Sequence, residues 1–96
     1  MPRLTWSPSA LRDVDRLHQL LASKSRDAAK RAVQTIRHDV QILASHPAIG
    51  RPIDDLPPAF REWIIEFGQS AYVILYRFDG KEIVLLAVRH GREAGY

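Results

Sequence analysis

Tyr72-Val73-Ile74-Leu75-Tyr76-Arg77-Phe78-Asp79-Gly80-Lys81-Glu82-Ile83-Val84-Leu85-Leu86-Ala87-Val88-Arg89 sets two apolar runs on either side of a turn signal. Asp-Gly between β-branched and aromatic runs is a strong short-range mark of an antiparallel hairpin. Upstream, Trp63, Ile65 and Phe67 alternate with Glu62, Ile64 and Glu66, and Gly68-Gln69 turns the chain. Residues 61–89 therefore predict a three-stranded antiparallel meander. With Asp79-Gly80 as a two-residue loop, Phe78 pairs with Lys81, Arg77 with Glu82 and Tyr76 with Ile83. An Arg77–Glu82 cross-strand ion pair is expected from that register. One face then collects Trp63, Ile65, Phe67, Tyr72, Ile74, Tyr76, Ile83 and Leu85; the other collects Ile64, Glu66, Val73, Leu75, Val84, Leu86 and Val88.

Ahead of the meander, Leu4 and Trp6 flank Thr5 in a short strand that is expected to join the sheet. Ser7-Pro8 then starts a helix, with Ser as cap and Pro at the first helical position. Ala10, Leu11, Val14, Leu17, Leu20 and Leu21 recur at helical spacing, leaving Arg12, Asp13, Asp15 and Arg16 as a solvated mixed-charge face. A second start at Ser25 carries Asp27 in the first turn, where the helix dipole favours an acid, and Ala29, Val33, Ile36, Val40 and Leu43 make its stripe. His46-Pro47 ends it. Residues 46–60, with Pro47, Gly50, Pro52, Pro57 and Pro58, read as a stiff loop. The order β-α-α-β-β-β is α+β: a helical hairpin packed on a small antiparallel sheet, in a single domain of residues 1–96.

One helical hairpin covers only one sheet face, yet both faces of the last two strands are apolar. An antiparallel sheet with one wet face alternates more cleanly. The surplus is explained either by a partner or by the chain's own loop and tail. The partner reading assigns Val73, Leu75, Leu86 and Val88 to its interface.

The chain has 96 residues, is 46% hydrophobic, and contains no cysteine, which excludes disulfides and thiolate zinc sites. No set of histidines has metal-ligand spacing, and no cofactor motif is present. The net charge of +3 is too small to identify a polyanion partner, although arginine rather than lysine supplies most of the positive charge. No apolar run approaches the ~20 residues that span a bilayer, and the start lacks the apolar stretch of a signal peptide. A soluble cytoplasmic protein without membrane contact is expected.

The last strand runs into Val88-Arg89-His90-Gly91-Arg92-Glu93-Ala94-Gly95-Tyr96. Arg89, His90, Arg92 and Tyr96 are the candidate functional residues. His90 is either a general base or a surface histidine past a strand end. Tyr96 is either idle or a stacking group. Arg61, after the proline loop, is expected to tie that loop to the sheet, and Trp63 to be a core aromatic.

The pattern resembles the RelE/ParE superfamily of type II toxin–antitoxin toxins. It is carried by Trp6-Ser7-Pro8 with Ala10, the alanine-rich second helix, Leu43 with His46-Pro47, and Gly50-Arg51-Pro52. Arg61, then 71–77, Asp79-Gly80 and Arg89-His90-Gly91-Arg92 complete it. The resemblance implies a cognate antitoxin, bound as a heterodimer or larger hetero-oligomer. It also implies one of two activities: ribosome-dependent mRNA cleavage in the RelE-like branch, or inhibition of DNA gyrase by protein–protein contact in the ParE-like branch. Independent DNA recognition is not expected, because operon repression belongs to the antitoxin.

Metal-free RNA cleavage needs a base for the 2′-hydroxyl, cations for the phosphate and an acid for the leaving oxygen. The positions matching the ribonuclease branch's basic strand residues are Ile64, Glu66 and Val73. An anionic Glu66 repels phosphate. The sequence therefore favours a ParE-like gyrase inhibitor with no catalytic residues, binding its target through Arg89, His90, Arg92 and Tyr96. In the ribonuclease alternative the same four would be the catalytic set. A third reading is a family member that binds antitoxin but harms nothing.

Overall fold

A computed structural model describes residues 2–91. The elements run β1 (Arg3–Trp6), α1 (Pro8–Ala22), α2 (Arg26–Asp39), α3 (Ile42–Ser45), β2 (Arg51–Pro52), β3 (Phe60–Phe67), β4 (Ser70–Phe78) and β5 (Glu82–His90). Both helix starts follow the capping logic. Ser7 Oγ accepts the Ala10 N–H at 3.0 Å with Pro8 in the first turn, and Ser25 Oγ accepts the Ala28 N–H at 3.1 Å. Asp27 sits in α2's first turn and pairs with Arg31 one turn on, at 3.3 Å.

The strands form one sheet in the order β1-β5-β4-β3-β2. The three-stranded meander is as expected, with Gly68-Gln69 joining Phe67 to its partner Ser70. β1 does join, but parallel to β5, with Leu4 beside Ile83, so the sheet is mixed rather than wholly antiparallel. The two strands lie far enough apart in the chain that no tight turn sets their relative direction. Two further short elements appear: α3, where α2 was expected to continue, and β2, which pairs Arg51 with Glu62 inside the proline loop.

Ala10, Val14 and Leu17 of α1 and Ala32 and Ile36 of α2 meet Ile65, Tyr72, Ile74, Tyr76, Ile83 and Leu85 of the sheet in one buried cluster. Burying each Leu or Ile there contributes about 1.5–3 kcal/mol. Two leucines assigned to α1's core stripe are not in it: Leu11 is 47% exposed and Leu20 58%. Leu11 lies off the stripe, and Leu20 sits near the helix end.

The β4–β5 register differs from expectation. Phe78 pairs with Ile83, Arg77 with Val84 and Tyr76 with Leu85, so the turn is centred one residue later, on Gly80 and Lys81. The cause is Asp79. Its carboxylate accepts the N–H groups of Lys81 at 2.9 Å and Glu82 at 2.8 Å, while Gly80 takes a positive φ of 96°. Those bonds hold the Asp79 carboxyl below its usual pKa. Arg77 consequently faces Val84, and the expected Arg77–Glu82 pairing does not form.

A β-bulge follows. Leu75 pairs with Ala87 while Tyr76 pairs with Leu85, leaving Leu86 as the extra residue of β5. One inserted residue reverses the alternation beyond it. Val88 therefore moves to the core face, opposite Ile74, and is fully buried. Its assignment to a partner interface is corrected by that bulge. Val73, Leu75 and Leu86 remain half-buried on the face away from the helices.

The proline loop is held by polar contacts from the sheet. Tyr76 Oη donates to the Pro47 carbonyl at 2.7 Å and accepts the Gly50 N–H at 2.9 Å. Arg61 Nη1 donates to the carbonyls of Gly50, at 2.6 Å, and Ala48, at 3.3 Å. A β-carbon added at Gly50 would lie 2.5 Å from the Tyr76 hydroxyl and 2.7 Å from the Glu62 carbonyl oxygen, so only glycine fits this close approach.

Candidate functional site

Of the candidate residues, Arg89 and His90 lie at the end of β5, where the sheet loses β1 and gains a helix. Trp6, the last residue of β1, pairs with Leu85. Ser7 then donates its N–H to the Leu85 carbonyl at 3.0 Å, and α1 turns away. A strand edge left there would present unpaired backbone groups. Instead, Asp13 Oδ2 accepts the Val88 N–H at 2.8 Å, and Arg16 Nη2 reaches the Val88 carbonyl at 3.5 Å. Side chains of α1 thus continue the edge partnership that β1 began.

Asp13 is 8% exposed, which corrects its placement on a solvated face. Ala10, Asp13, Val14 and Leu17 stand at i, i+3, i+4 and i+7, so the spacing puts this acid on the buried stripe. A lone acid among apolar stripe positions is the signal that composition-level reading passes over. A buried carboxylate needs partners, and Asp13 has them: the Val88 N–H, Arg89 Nη1 at 2.5 Å and Arg16 Nη2 at 3.7 Å. Arg89 is thereby tied to α1, its side chain 27% exposed.

His90 pairs with Tyr72 across β4 and sets its ring edge-on to the Tyr72 ring, with centroids 5.6 Å apart at 85°. Tyr72 in turn contacts Phe67 at 6.3 Å, and burial pushes its phenol pKa up. Gly91 N–H donates to the Ala71 carbonyl at 2.7 Å, extending the β4–β5 contact one residue past the strand. Arg92 and Tyr96 lie outside the described residues. Of the two candidates described, Arg89 shares a face with Val73 and His90 shares the opposite face with Tyr72, so the sheet does not bring their side chains together.

Across the sheet, Ile64 pairs with Val73 and Val73 with Arg89. Directly paired residues share a sheet face. Two of the three positions that would carry a ribonuclease's basic groups, Ile64 and Val73, thus line up in one transverse row with Arg89. That row contains one cation, and it is paired with Asp13, which Arg16 also approaches. Ile64 is 46% exposed, and Glu66 is exposed beside it.

Arg61 makes the loop contacts expected of it. Trp63 packs half-buried against the core while also lining a shallow groove with His38, Gln41 and Ile42. No helix among the described residues is long and apolar enough to cross a membrane.

The family described as "ParE toxin of type II toxin-antitoxin system, parDE" matches residues 4–95. Toxin RelE3 of Caulobacter vibrioides is similar at 31% identity over 93 residues, covering 97% of this chain and 98% of the relative. Toxin RelE1 of the same organism is 37% identical over 87 residues, covering 91% of this chain and 90% of the relative. Among solved structures, one described as "Chromosomal ParDE TA system from P. aeruginosa" superposes with a TM-score of 0.77 at 27% identity, covering 94% of this chain and 96% of that one. With helices, sheet and terminal strand all inside the matched span, the chain belongs to the ParE toxin family and is the toxin component of a type II toxin–antitoxin system.

Proposed function

We propose that this toxin acts in the cytoplasm by inhibiting DNA gyrase through protein–protein contact, without cleaving RNA. The observation that carries this reading is the row Ile64–Val73–Arg89. Phosphoryl chemistry on RNA needs uncompensated cations around the scissile phosphate. The row offers two aliphatic side chains and an arginine already paired with Asp13, and exposed Glu66 adds a repelling charge. A surface of this kind suits contact with a protein better than stabilisation of a dianionic transition state.

In this reading His90, Arg92 and Tyr96 present the target-binding surface, and Arg89 supports it from its pair with Asp13. Membership of the family implies a cognate antitoxin. We place its contact on the half-buried apolar face of Val73, Leu75 and Leu86, where a covering chain would remove apolar surface from water.

A supercoiling assay with purified gyrase and full-length toxin tests the proposal. Inhibition relieved by antitoxin is the expected result. Unaffected gyrase together with cleavage of ribosome-bound message would establish the ribonuclease alternative, which the names of the two Caulobacter relatives favour. His90→Ala and Arg92→Ala should weaken inhibition while antitoxin still binds. They are cleaner than Arg89→Ala, which also unpairs Asp13.

A further inference from the structure

The whole chain carries a net charge of +3, but that charge is not evenly spread. Residues 24–38 contain Lys24, Arg26, Lys30, Arg31 and Arg37 against Asp27 alone, a net +4, so the remainder of the chain sums to −1. All five cations are exposed. Arg31 is satisfied by Asp27, whereas Lys24, Arg26, Lys30 and Arg37 have no ion pair among the described residues. At 100° per residue, Arg26, Lys30 and Arg37 fall within about 40° of one another around α2. They form a straight row about 16 Å long.

Helix stability accounts for Arg37, a cation in α2's last turn where the dipole favours it, but not for the start of the row. Lys24 and Arg26 flank the N-cap Ser25, where the helix dipole disfavours cations. Nor does the row resemble a protein docking face. Such faces draw their affinity from clusters of buried aromatic and aliphatic anchors. None of the exposed large hydrophobic side chains lies on α2, and one, Leu11 of α1, lines a groove beside Arg37 at the end of the row. Residues 26–39 also contain no Phe, Trp or Tyr on which unpaired bases could stack, as single-stranded nucleic acid requires. A straight row of exposed cations with no ion pair among the described residues is complementary to the phosphate backbone of a duplex.

We propose that the exposed flank of α2 carrying Arg26, Lys30 and Arg37 binds double-stranded DNA through its phosphates, without reading sequence. The contact is distinct from the operator recognition assigned to the antitoxin. It also goes beyond the gyrase reading, because it can be measured with no gyrase present and either can fail alone. A target that is itself held on duplex DNA would meet the toxin at both surfaces.

The test is fluorescence anisotropy of a labelled DNA duplex of arbitrary sequence, titrated with the full-length toxin from 50 to 200 mM salt. Four phosphate contacts predict a log–log salt slope of about −3.6 and a loss of about 150-fold in affinity over that range. The triple variant Arg26→Gln/Lys30→Gln/Arg37→Gln should reduce the slope to about −1. Glutamine is a good helix former and these side chains are exposed, so the fold is retained. The variant Arg3→Gln/Lys81→Gln, which removes exposed cations elsewhere, should leave the slope unchanged. Three outcomes overturn the proposal: no duplex binding at 50 mM salt, an equal loss in both variants, or binding of single-stranded RNA in preference to duplex DNA.

Discussion

The end of β5 and the exposed flank of α2 carry the same kind of charge under opposite conditions. Arg89 is tied to a carboxylate that is itself buried and bonded to the Val88 N–H. Arg26, Lys30 and Arg37 are exposed and have no ion pair among the described residues. A conspicuous cluster at the chain's end thus contains at least one arginine spent on architecture, while cations dispersed along a helix gather into an open row. The difference teaches that availability, not number, decides which charge meets a partner. Availability is set by what the fold places beside each side chain.

The contrast can be broken first at Asp13. Asp13→Ala leaves the Val88 N–H without its acceptor and Arg89 without its anion, and should cost about 3 kcal/mol in urea unfolding. A loss well under 1 kcal/mol would mean the junction is no more structural than the α2 row. Asp13→Asn keeps a carbonyl oxygen for the Val88 N–H and loses only the charge. It should cost about half as much, and the difference between the two variants separates edge pairing from ion pairing.

Tyr76 offers a neutral buried comparison. Tyr76→Phe removes the hydroxyl shared by Gly50 and Pro47 and should cost about 1 kcal/mol. Burial raises the Tyr76 pKa, with the Gly50 N–H and the charge of Arg61 opposing that shift more weakly. Because the folded value lies above the unfolded one, this phenol's contribution is complete below about pH 10 and is lost as pH rises past it. A denaturation series from pH 8 to 11 should therefore show an alkaline decline that is shallower in Tyr76→Phe. The smallest effect is expected on α2, where the triple glutamine variant should change stability by no more than about 0.5 kcal/mol. A larger loss would show that those cations hold the fold and are not free for a ligand.

Much of the architecture was legible in the chain. Ser7-Pro8 and Ser25 mark helix starts because a cap acts over a single turn, and the two-residue period of 61–67 and 72–78 marks strands because pleating is local. Arg61's role followed from a cation placed after a proline-locked loop. The failures share a cause. Asp79 moved the turn by one residue through its own side-chain bonds, and the bulge at Leu86 then sent Val88 to the core. Either shift is invisible to a period count that assumes an unbroken ladder. Asp13 was misread because a charged residue was sorted to water before its stripe position was considered. Of the candidate site, the strand positions Ile64, Glu66 and Val73 are legible in the sequence, but the alignment of Ile64 and Val73 with Arg89 depends on register across three strands.

By itself the sequence determined the two capped helices, the three-stranded meander and the surplus of apolar surface on its strands. Those features arise from forces that act within a few residues: capping, dipoles, pleating and turn chemistry. Tertiary structure alone decided that β1 runs parallel to β5 and that Asp13 completes β5's edge. It also decided that Arg89 is paired with Asp13 and that Arg26, Lys30 and Arg37 are left exposed. Each of these depends on groups distant in the chain meeting at hydrogen-bonding range, where burial turns a charge into either a tether or a cost.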